Sequence, residues 1–123
     1  MTLMLGPQAH LLARYMDLLS ARQRVTAVNV ANADTPGYLT RDIDFGWELA
    51  RVLDDPSADP AAPVSIRAVG GRDVKNDGND VSLDRELQIL ADTAIRFDLA
   101  SMLLKGNISS VRSAIHEGRG PGG

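Results

Sequence analysis

A heptad repeat of apolar residues near the C-terminus limits the possible folds of this chain more than any other feature. Between residues 83 and 115 the steps alternate between four and three, and nine of the ten positions are apolar. This pattern predicts one long helix with a continuous apolar stripe over residues 82–117, with Ser82 as its N-cap. At about 1.5 Å per residue, such a helix is roughly 50 Å long. The stripe consists of Leu83, Leu87, Leu90, Ala94, Phe97, Ser101, Leu104, Ile108, Val111 and Ile115.

A second helical pattern covers residues 8–32, close to the N-terminus. Its stripe contains Leu11, Tyr15, Leu18, Arg22, Val25, Asn29 and Asn32. Pro7 suits the first turn of a helix, where its missing N–H costs nothing. The helix must end by about Ala33, because Asp-Thr-Pro-Gly-Tyr follows at residues 34–38. Pro36 and Gly37 supply the fixed φ and the positive φ of a type II turn.

The middle of the chain has a different composition. Residues 45–53 predict a short helix with Asp44 as N-cap. Residues 54–80 are rich in Pro, Gly and Asp, and so long a segment with little structure is unusual inside a compact domain. We therefore expect a loose, partly extended arm, in which residues 64–69 form either one strand or an extended stretch.

The predicted fold class is mainly α, with the N-terminal helix and the long C-terminal helix pairing as a coiled-coil-like hairpin, either antiparallel or parallel. The expected divisions are 1–38 for the first helix and turn, 39–81 for the arm, 82–117 for the long helix and 118–123 for a flexible tail. With five bulky aromatic residues, the chain offers little surface to cover the long stripe. The stripe is therefore predicted to pack mainly against other subunits, with an intramolecular core as the alternative.

Several function classes are disfavoured by composition. The net charge is −3, the eleven arginines are interspersed with sixteen acids, and there are two lysines, which argues against nucleic-acid binding and a polybasic membrane patch. No apolar run is long enough for membrane insertion. Cysteine is absent, and no catalytic or cofactor-binding motif is present. The chain is therefore predicted not to be an enzyme and to hold no cofactor.

Metal binding is also disfavoured. An acidic, Gly-punctuated run over residues 73–84 resembles a calcium loop, but it places Lys75 at the third ligand position. This run is more typical of a turn that leads into the long helix. His10 and His116 are distant in sequence and have no repeated spacing with acids, so neither predicts a metal site.

The segment 21–38, followed by Arg-Asp-Ile-Asp-Phe at 41–45, resembles the N-terminal signature of flagellar axial proteins. Its hallmark residues are Asn29, Asn32, Thr35, Pro36, Gly37 and Tyr38. Within that group the chain is most similar to the flagellar basal-body rod proteins, in particular the proximal rod member. Residues 77–86 and 103–115 are similar to the C-terminal helix of that member.

The resemblance implies a structural rod subunit that self-assembles through its terminal helices into a torque-transmitting tube. Such proteins leave the cytoplasm without a cleaved signal peptide, through the flagellar type III export apparatus, and assemble in the periplasm. Implied partners are copies of the chain, other rod proteins, the membrane ring or rod adaptor at the rod base, and the export apparatus. The hallmark residues would lock the bend after the first helix, so Asn32→Ala is expected to allow export but impair assembly.

Two other functions stay open at this point. A cytoplasmic helical adaptor or export chaperone would share the acidic charge and amphipathic helices, but not the Pro-Gly-Tyr hallmark. A small enzyme could use Asp and Arg residues of the arm, provided that the arm forms a pocket that excludes water.

Overall fold

The computed structural model describes residues 2–55, 57 and 63–118, except for the side chains of residues 2–5 and 111. Three helices and two short strands follow one another along the chain. They are α1 (Thr2–Ala31), β1 (Arg41–Ile43), α2 (Phe45–Asp54), β2 (Ile66–Ala68) and α3 (Leu83–Gly118). The predicted mainly α class is confirmed. Of the predicted tail at 118–123, Gly118 is the last residue of α3, and residues 119–123 lie outside the described residues.

The two long helices pack against each other as an antiparallel hairpin. At one end, Asn29 near the end of α1 lies beside Glu86 in the first turn of α3. Further along, Leu12 and Leu103 line the same shallow furrow between the helices. The choice between antiparallel and parallel pairing is thereby resolved.

Local signals set the helix boundaries. Gly6 takes a positive φ of 77° and interrupts the helical geometry, so Pro7 opens the continuous part of α1. The carboxylate of Asp44 caps α2 by accepting a hydrogen bond from the backbone N–H of Trp47 at 3.3 Å. The Ser82 hydroxyl caps α3 by accepting from the N–H of Arg85, also at 3.3 Å. Both predicted N-caps are confirmed.

The central segment is more ordered than a loose arm. Strands β1 and β2 form an antiparallel ribbon in which Arg41 is paired with Ala68. Asn79, Asp80 and Val81 are buried. The C-terminal end of the arm is therefore held in place, because these residues find polar partners in a distant part of the chain. Residues 56 and 58–62 of the predicted arm lie outside the described residues.

The interior of the described chain is unusually polar. Of its seven largest fully buried side chains, only Leu19 is apolar. The other six are Thr26, Asn29, Thr40, Asn79, Glu86 and Thr93. Buried polar groups are tolerated only when they are hydrogen-bonded, so these side chains show where the fold depends on specific pairing.

Candidate functional site: the bend between the helices

The bend, residues 29–38, turns the chain sharply at the end of α1. The N–H of Tyr38 donates to the carbonyl of Thr35 at 3.2 Å, and Gly37 has a φ of 74°. This is the predicted Pro-Gly turn, in which a side chain at position 37 would be strained.

Asn29 holds the bend from inside. Its amide nitrogen donates to the carbonyl of Arg41 at 2.7 Å and to Oε2 of Glu86 at 3.3 Å. Its Oδ1 accepts from the hydroxyl of Tyr38 at 2.8 Å and from the N–H of Arg41 at 3.1 Å. The side chain is 0% exposed, and all four of its hydrogen-bonding positions are used. One amide therefore joins α1, the turn, β1 and α3.

Asn32 has a more local role. Its amide nitrogen donates to the carbonyl of Val28 at 2.9 Å, and its Oδ1 accepts from the hydroxyl of Thr35 at 3.0 Å. Both bonds are exposed to solvent, unlike those of Asn29. Asn32 thus satisfies a carbonyl of the last helical turn and ties it to the start of the Pro-Gly turn.

A loop just before α3 closes over the bend, and we call it the clasp, residues 75–81. The amide nitrogen of Asn79 donates to the carbonyls of Asn32 at 2.9 Å and Thr35 at 2.8 Å. Its Oδ1 accepts from the N–H of Val81 at 2.8 Å. Asn79 is 0% exposed, and it gives each of these two carbonyls a second hydrogen bond besides the one from the backbone of the turn.

Two glycines allow the clasp to approach the turn closely. The N–H of Gly37 donates to the carbonyl of Asp77 at 2.9 Å. Gly78 has a φ of 84°, and a Cβ on it would lie 3.3 Å from the Cα of Gly37. Gly78 is therefore required both for its backbone conformation and for the space that it leaves.

Asp80 extends the contact towards β1. Its carboxylate accepts from the N–H of Thr40, and the hydroxyl of Thr40 donates to the Asp80 carbonyl at 3.2 Å. The N–H of Asp80 donates to the carbonyl of Tyr38 at 3.2 Å. Since Thr40 and Asp80 are both buried, the two backbones are paired away from solvent.

Charged side chains complete the network on the α3 side. Arg22 pairs with Asp42 at 3.0 Å, and Arg85 pairs with Glu86 at 2.9 Å. Arg85 also lies 3.5 Å from Asp42, and so joins the two pairs. Glu86 is 0% exposed, and a buried carboxylate needs such partners to avoid a large desolvation cost.

Burial also acts on the Tyr38 phenol. Desolvation raises its pKa above the ordinary value of 10.0, while the charge of Arg41 acts in the opposite direction. The neutral hydroxyl, which donates to Asn29, is thus favoured in the folded chain.

Some residues of the predicted α3 stripe are half-buried and others are exposed. A row spaced by seven, Glu86, Thr93 and Ala100, is buried, and it lies one residue before Leu87, Ala94 and Ser101. Stripe residues Leu90, Phe97, Ser101, Leu104 and Ile108 are half-buried, whereas Leu83, Leu87, Ala94 and Ile115 are exposed. The side chain of Val111 is not among those described. The packed face is therefore rotated from the predicted stripe.

A different set of apolar side chains on α3 is largely exposed, and two of them, Leu99 and Leu103, also border the furrow between α1 and α3. We call it the outer ridge: Ile95, Leu99, Met102 and Leu103, which are 67%, 56%, 66% and 55% exposed. Their spacing of four, seven and eight residues from Ile95 places them on one face. The ridge is contiguous, and contiguous exposed apolar surface is typical of an interaction site.

The described residues contain no group of three or more His, Asp or Glu side chains able to hold a metal ion. No described helix is long and apolar enough to cross a membrane. The acidic run at 73–84 forms the clasp and leads into the first turn of α3, as expected of a turn before the long helix. The chemistry available to the bend is hydrogen bonding, which holds the backbone in one conformation.

Comparison with known proteins assigns this geometry to a family. A family model for flagella basal body rod protein matches residues 16–38, which form most of α1 and the whole turn. The flagellar basal body rod protein FlgB of Escherichia coli (strain K12) is 30% identical over 123 residues, covering 84% of this chain and 88% of that protein. This chain belongs to the FlgB family of flagellar basal body rod proteins. FlgB of Salmonella typhimurium is 32% identical over 84% of the chain and 88% of its own length. FlgB of Cereibacter sphaeroides is 32% identical over 84% of this chain and 89% of its own length.

Membership of the FlgB family confirms the resemblance drawn from residues 21–38. The chain is a structural subunit of the flagellar basal body rod, and it assembles with other rod proteins. The family is a structural component rather than a family of enzymes.

Sequence reasoning identified the bend but missed its partners. Asn79, Asp80 and Glu86 were not singled out as site residues, nor was the pair of Arg22 with Asp42. One signal was available: Asn29 lies on an apolar stripe and needs a buried polar partner. Glu86 and Asn79 lie in the segment at 77–86 whose similarity to the rod family had been noted.

Proposed function

We propose that the bend and the clasp fix the angle between α1 and the central ribbon, so that every subunit presents the same shape to its neighbours in the rod. The observation that carries this proposal is the Asn29 side chain on α1, which is fully buried and bonds to the turn, β1 and α3. Replacing this polar junction by apolar packing would leave the angle less specified.

In this proposal the hallmark residues Asn29, Asn32, Thr35, Pro36, Gly37 and Tyr38 shape the subunit instead of contacting substrates. The exposed length of α3 then supplies the assembly surface. The exposed stripe residues and the outer ridge offer apolar area that the chain itself does not cover. The rod subunit would self-assemble through its two long helices into an axial tube that transmits torque.

We further propose the route and setting that family membership suggests. The subunit would leave the cytoplasm through the flagellar type III export apparatus without a cleaved signal peptide. It would join the periplasmic rod next to the membrane ring or rod adaptor at its base. A cytoplasmic adaptor or chaperone is not favoured, since FlgB relatives match most of the chain.

The test is deletion of the gene followed by complementation. Without the chain, basal bodies are expected to stop at the inner ring and to lack the rod; the wild-type gene restores the rod and motility. Asn29→Ala is expected to be secreted but to give few rods, whereas Asp73→Ala, at an exposed loop position outside the bend and the clasp, restores rods fully. Normal rods in the deletion strain would contradict the proposed function.

A further inference from the structure

The peptide bond between Asp77 and Gly78 lies where the clasp meets the turn. The Asp77 side chain is exposed to solvent, whereas Asn79 and Asp80, which follow directly after Gly78, are buried. The sequence contains no other Asp-Gly pair and no Asn-Gly pair. This bond therefore differs in its chemistry from every other peptide bond of the chain.

An aspartyl-glycine bond can rearrange without an enzyme. The backbone nitrogen of the glycine loses its proton and attacks Cγ of the aspartate, whose hydroxyl leaves, so that one water molecule is released and a five-membered succinimide ring forms. Addition of water then opens the ring. Opening at Cγ restores aspartate, whereas opening at the former backbone carbonyl gives isoaspartate, whose main chain runs through Cβ and Cγ. Glycine favours the reaction because no Cβ hinders its nitrogen.

Three hydrogen bonds hold the reacting atoms in place while the clasp is closed. The backbone carbonyl of Asp77 accepts from the N–H of Gly37 at 2.9 Å, and the N–H of Gly78 donates to the carbonyl of Lys75 at 2.9 Å. Oδ1 of Asp77 accepts from the N–H of Asn79 at 3.0 Å. Ring closure requires the peptide plane between residues 77 and 78 to rotate towards the side chain, which breaks the first two bonds, and the carboxyl group must leave the third.

We infer that the Asp77–Gly78 bond is a site of spontaneous isomerisation that the closed clasp protects and the open clasp exposes. The folded chain then reacts through the fraction of molecules in which the clasp has opened locally. The rate of isoaspartate formation therefore follows the opening equilibrium of the clasp.

Isomerisation also prevents the clasp from closing again. Isoaspartate adds one carbon to the main chain at a point that has no space for it, since a Cβ on Gly78 would already lie 3.3 Å from the Cα of Gly37. The former carbonyl of Asp77, which accepts from the N–H of Gly37, becomes a carboxylate outside the main chain. The modified subunit thus loses the contact between clasp and turn.

Peptide mapping of the purified full-length chain tests this inference. The chain is incubated at neutral pH, and isoaspartate is measured in the tryptic peptide 76–85 by chromatography and mass spectrometry with electron-transfer fragmentation. The chain unfolded in guanidinium is expected to form isoaspartate at residue 77 about tenfold faster than the folded chain, or more.

Asn79→Ala separates the clasp from the intrinsic chemistry of the bond. It removes the hydrogen bonds to the carbonyls of Asn32 and Thr35 but leaves Asp77 and Gly78 unchanged. Unfolded, this variant is expected to react at the rate of the unfolded parent chain. In the absence of denaturant it is expected to react several-fold faster than the parent chain.

A milder variant covers the case in which Asn79→Ala does not fold. Thr40→Val removes the hydroxyl that donates to the Asp80 carbonyl, and it is expected to give a smaller increase in the folded chain. Gly70→Ala is the matched control outside the clasp, where a Cβ meets nothing within 4 Å, and it is expected to react at the parent rate.

Two results would overturn the protection by the clasp. One is equal rates in the folded and unfolded parent chain, and the other is a parent rate for both Asn79→Ala and Thr40→Val in the folded state. The isomerised chain, once separated, is expected to exchange the amide of Gly37 about tenfold faster or more, and unchanged exchange would contradict the loss of closure. These readouts concern the isolated chain, so their failure leaves the proposed rod function to its own test by deletion.

Discussion

In the bend, two distant segments of the chain bury polar side chains against each other. The outer part of α3, residues 109–117, instead leaves its described side chains in solvent, including the apolar Ile115. Asn29, Asn79 and Glu86 are 0% exposed and fully bonded within one subunit. Every described side chain from residue 112 to residue 117 is exposed. The bend is complete in a single chain, and the outer part of α3 is not.

The difference shows how one short chain can define its own shape and still depend on neighbouring subunits to cover its apolar surface. A buried hydrogen-bond network fixes geometry, because each donor must point at its acceptor. Burial of apolar surface is not directional and stabilises any contact that removes the surface from water. We propose that the subunit sets its shape internally and leaves its remaining apolar surface for assembly. Substitutions in the bend should therefore change the isolated chain, and substitutions on outer α3 should leave it almost unaltered.

The largest effect is expected for Asn29→Ala. It removes the side-chain partner of the Arg41 backbone and the Tyr38 hydroxyl, and it leaves Glu86 with Arg85 alone. Breaking such a buried network costs about 2–4 kcal/mol. Urea unfolding of the purified chain measures this loss. The matched control is Asn32→Ala, whose two bonds are exposed and which should cost about 1 kcal/mol or less. Equal losses in the two variants would remove the distinction between buried and exposed bonds.

Gly78→Ala tests the close approach of clasp and turn. The substitution combines a positive φ with a Cβ 3.3 Å from a backbone atom, so we expect a loss of about 1–3 kcal/mol in unfolding free energy. Gly70→Ala is the control, because a Cβ there meets nothing within 4 Å. If both variants melt at the same temperature, the clasp does not depend on the space at Gly78.

Gly106→Ala should stabilise the chain instead of destabilising it, and only within α3. Gly106 lies in α3 with open space around it, and alanine favours the helix by about 1 kcal/mol. Amides near residue 106 are expected to exchange roughly fivefold more slowly in the isolated chain, with the bend amides unchanged. Gly46→Ala in α2, also in open space, should leave α3 exchange as it was. Slower exchange in the bend of Gly106→Ala would show that the two regions are coupled.

The smallest effect concerns alkaline pH. Because burial raises the pKa of Tyr38 in the folded chain, the folded state holds that proton more tightly than the unfolded state. This stabilisation is present below pH about 10 and is lost as the pH rises through the folded pKa. Tyr38→Phe should flatten this part of the stability curve, measured by urea unfolding between pH 9 and 11. Tyr15→Phe is the control, and a curve unchanged in Tyr38→Phe would contradict the assignment.

Sequence reasoning located the features that depend on neighbouring residues. The positive φ of Gly37, the caps at Asp44 and Ser82 and the long α3 follow from local chemistry. The contacts of Asn29 with Glu86 and of Asn79 with the bend join residues 57 and 47 positions apart. No local pattern specifies which distant groups will meet, so the sequence alone predicts the clasp as part of a loose arm.

The face of α3 that packs on α1 follows a row that apolar periodicity does not mark. The predicted stripe contains Leu87 and Ala94, which are exposed, whereas the buried row contains Glu86 and Thr93. A polar residue can occupy a buried position when a partner is supplied, and Asn29 supplies it for Glu86. Periodicity counts hydrophobic residues and therefore overlooks a row that is buried through hydrogen bonds.

Native-state hydrogen exchange on the dilute, purified chain tests the central contrast most directly. The account predicts strong protection for the amides of Gly37, Thr40 and Asp80, which are bonded between the bend, β1 and the clasp. It predicts rapid exchange for α3 from residue 109 onward, with protection gained on assembly into rods. Equal protection of bend and outer α3 in the dilute monomer would contradict the account, because the outer helix would then be complete without a neighbour.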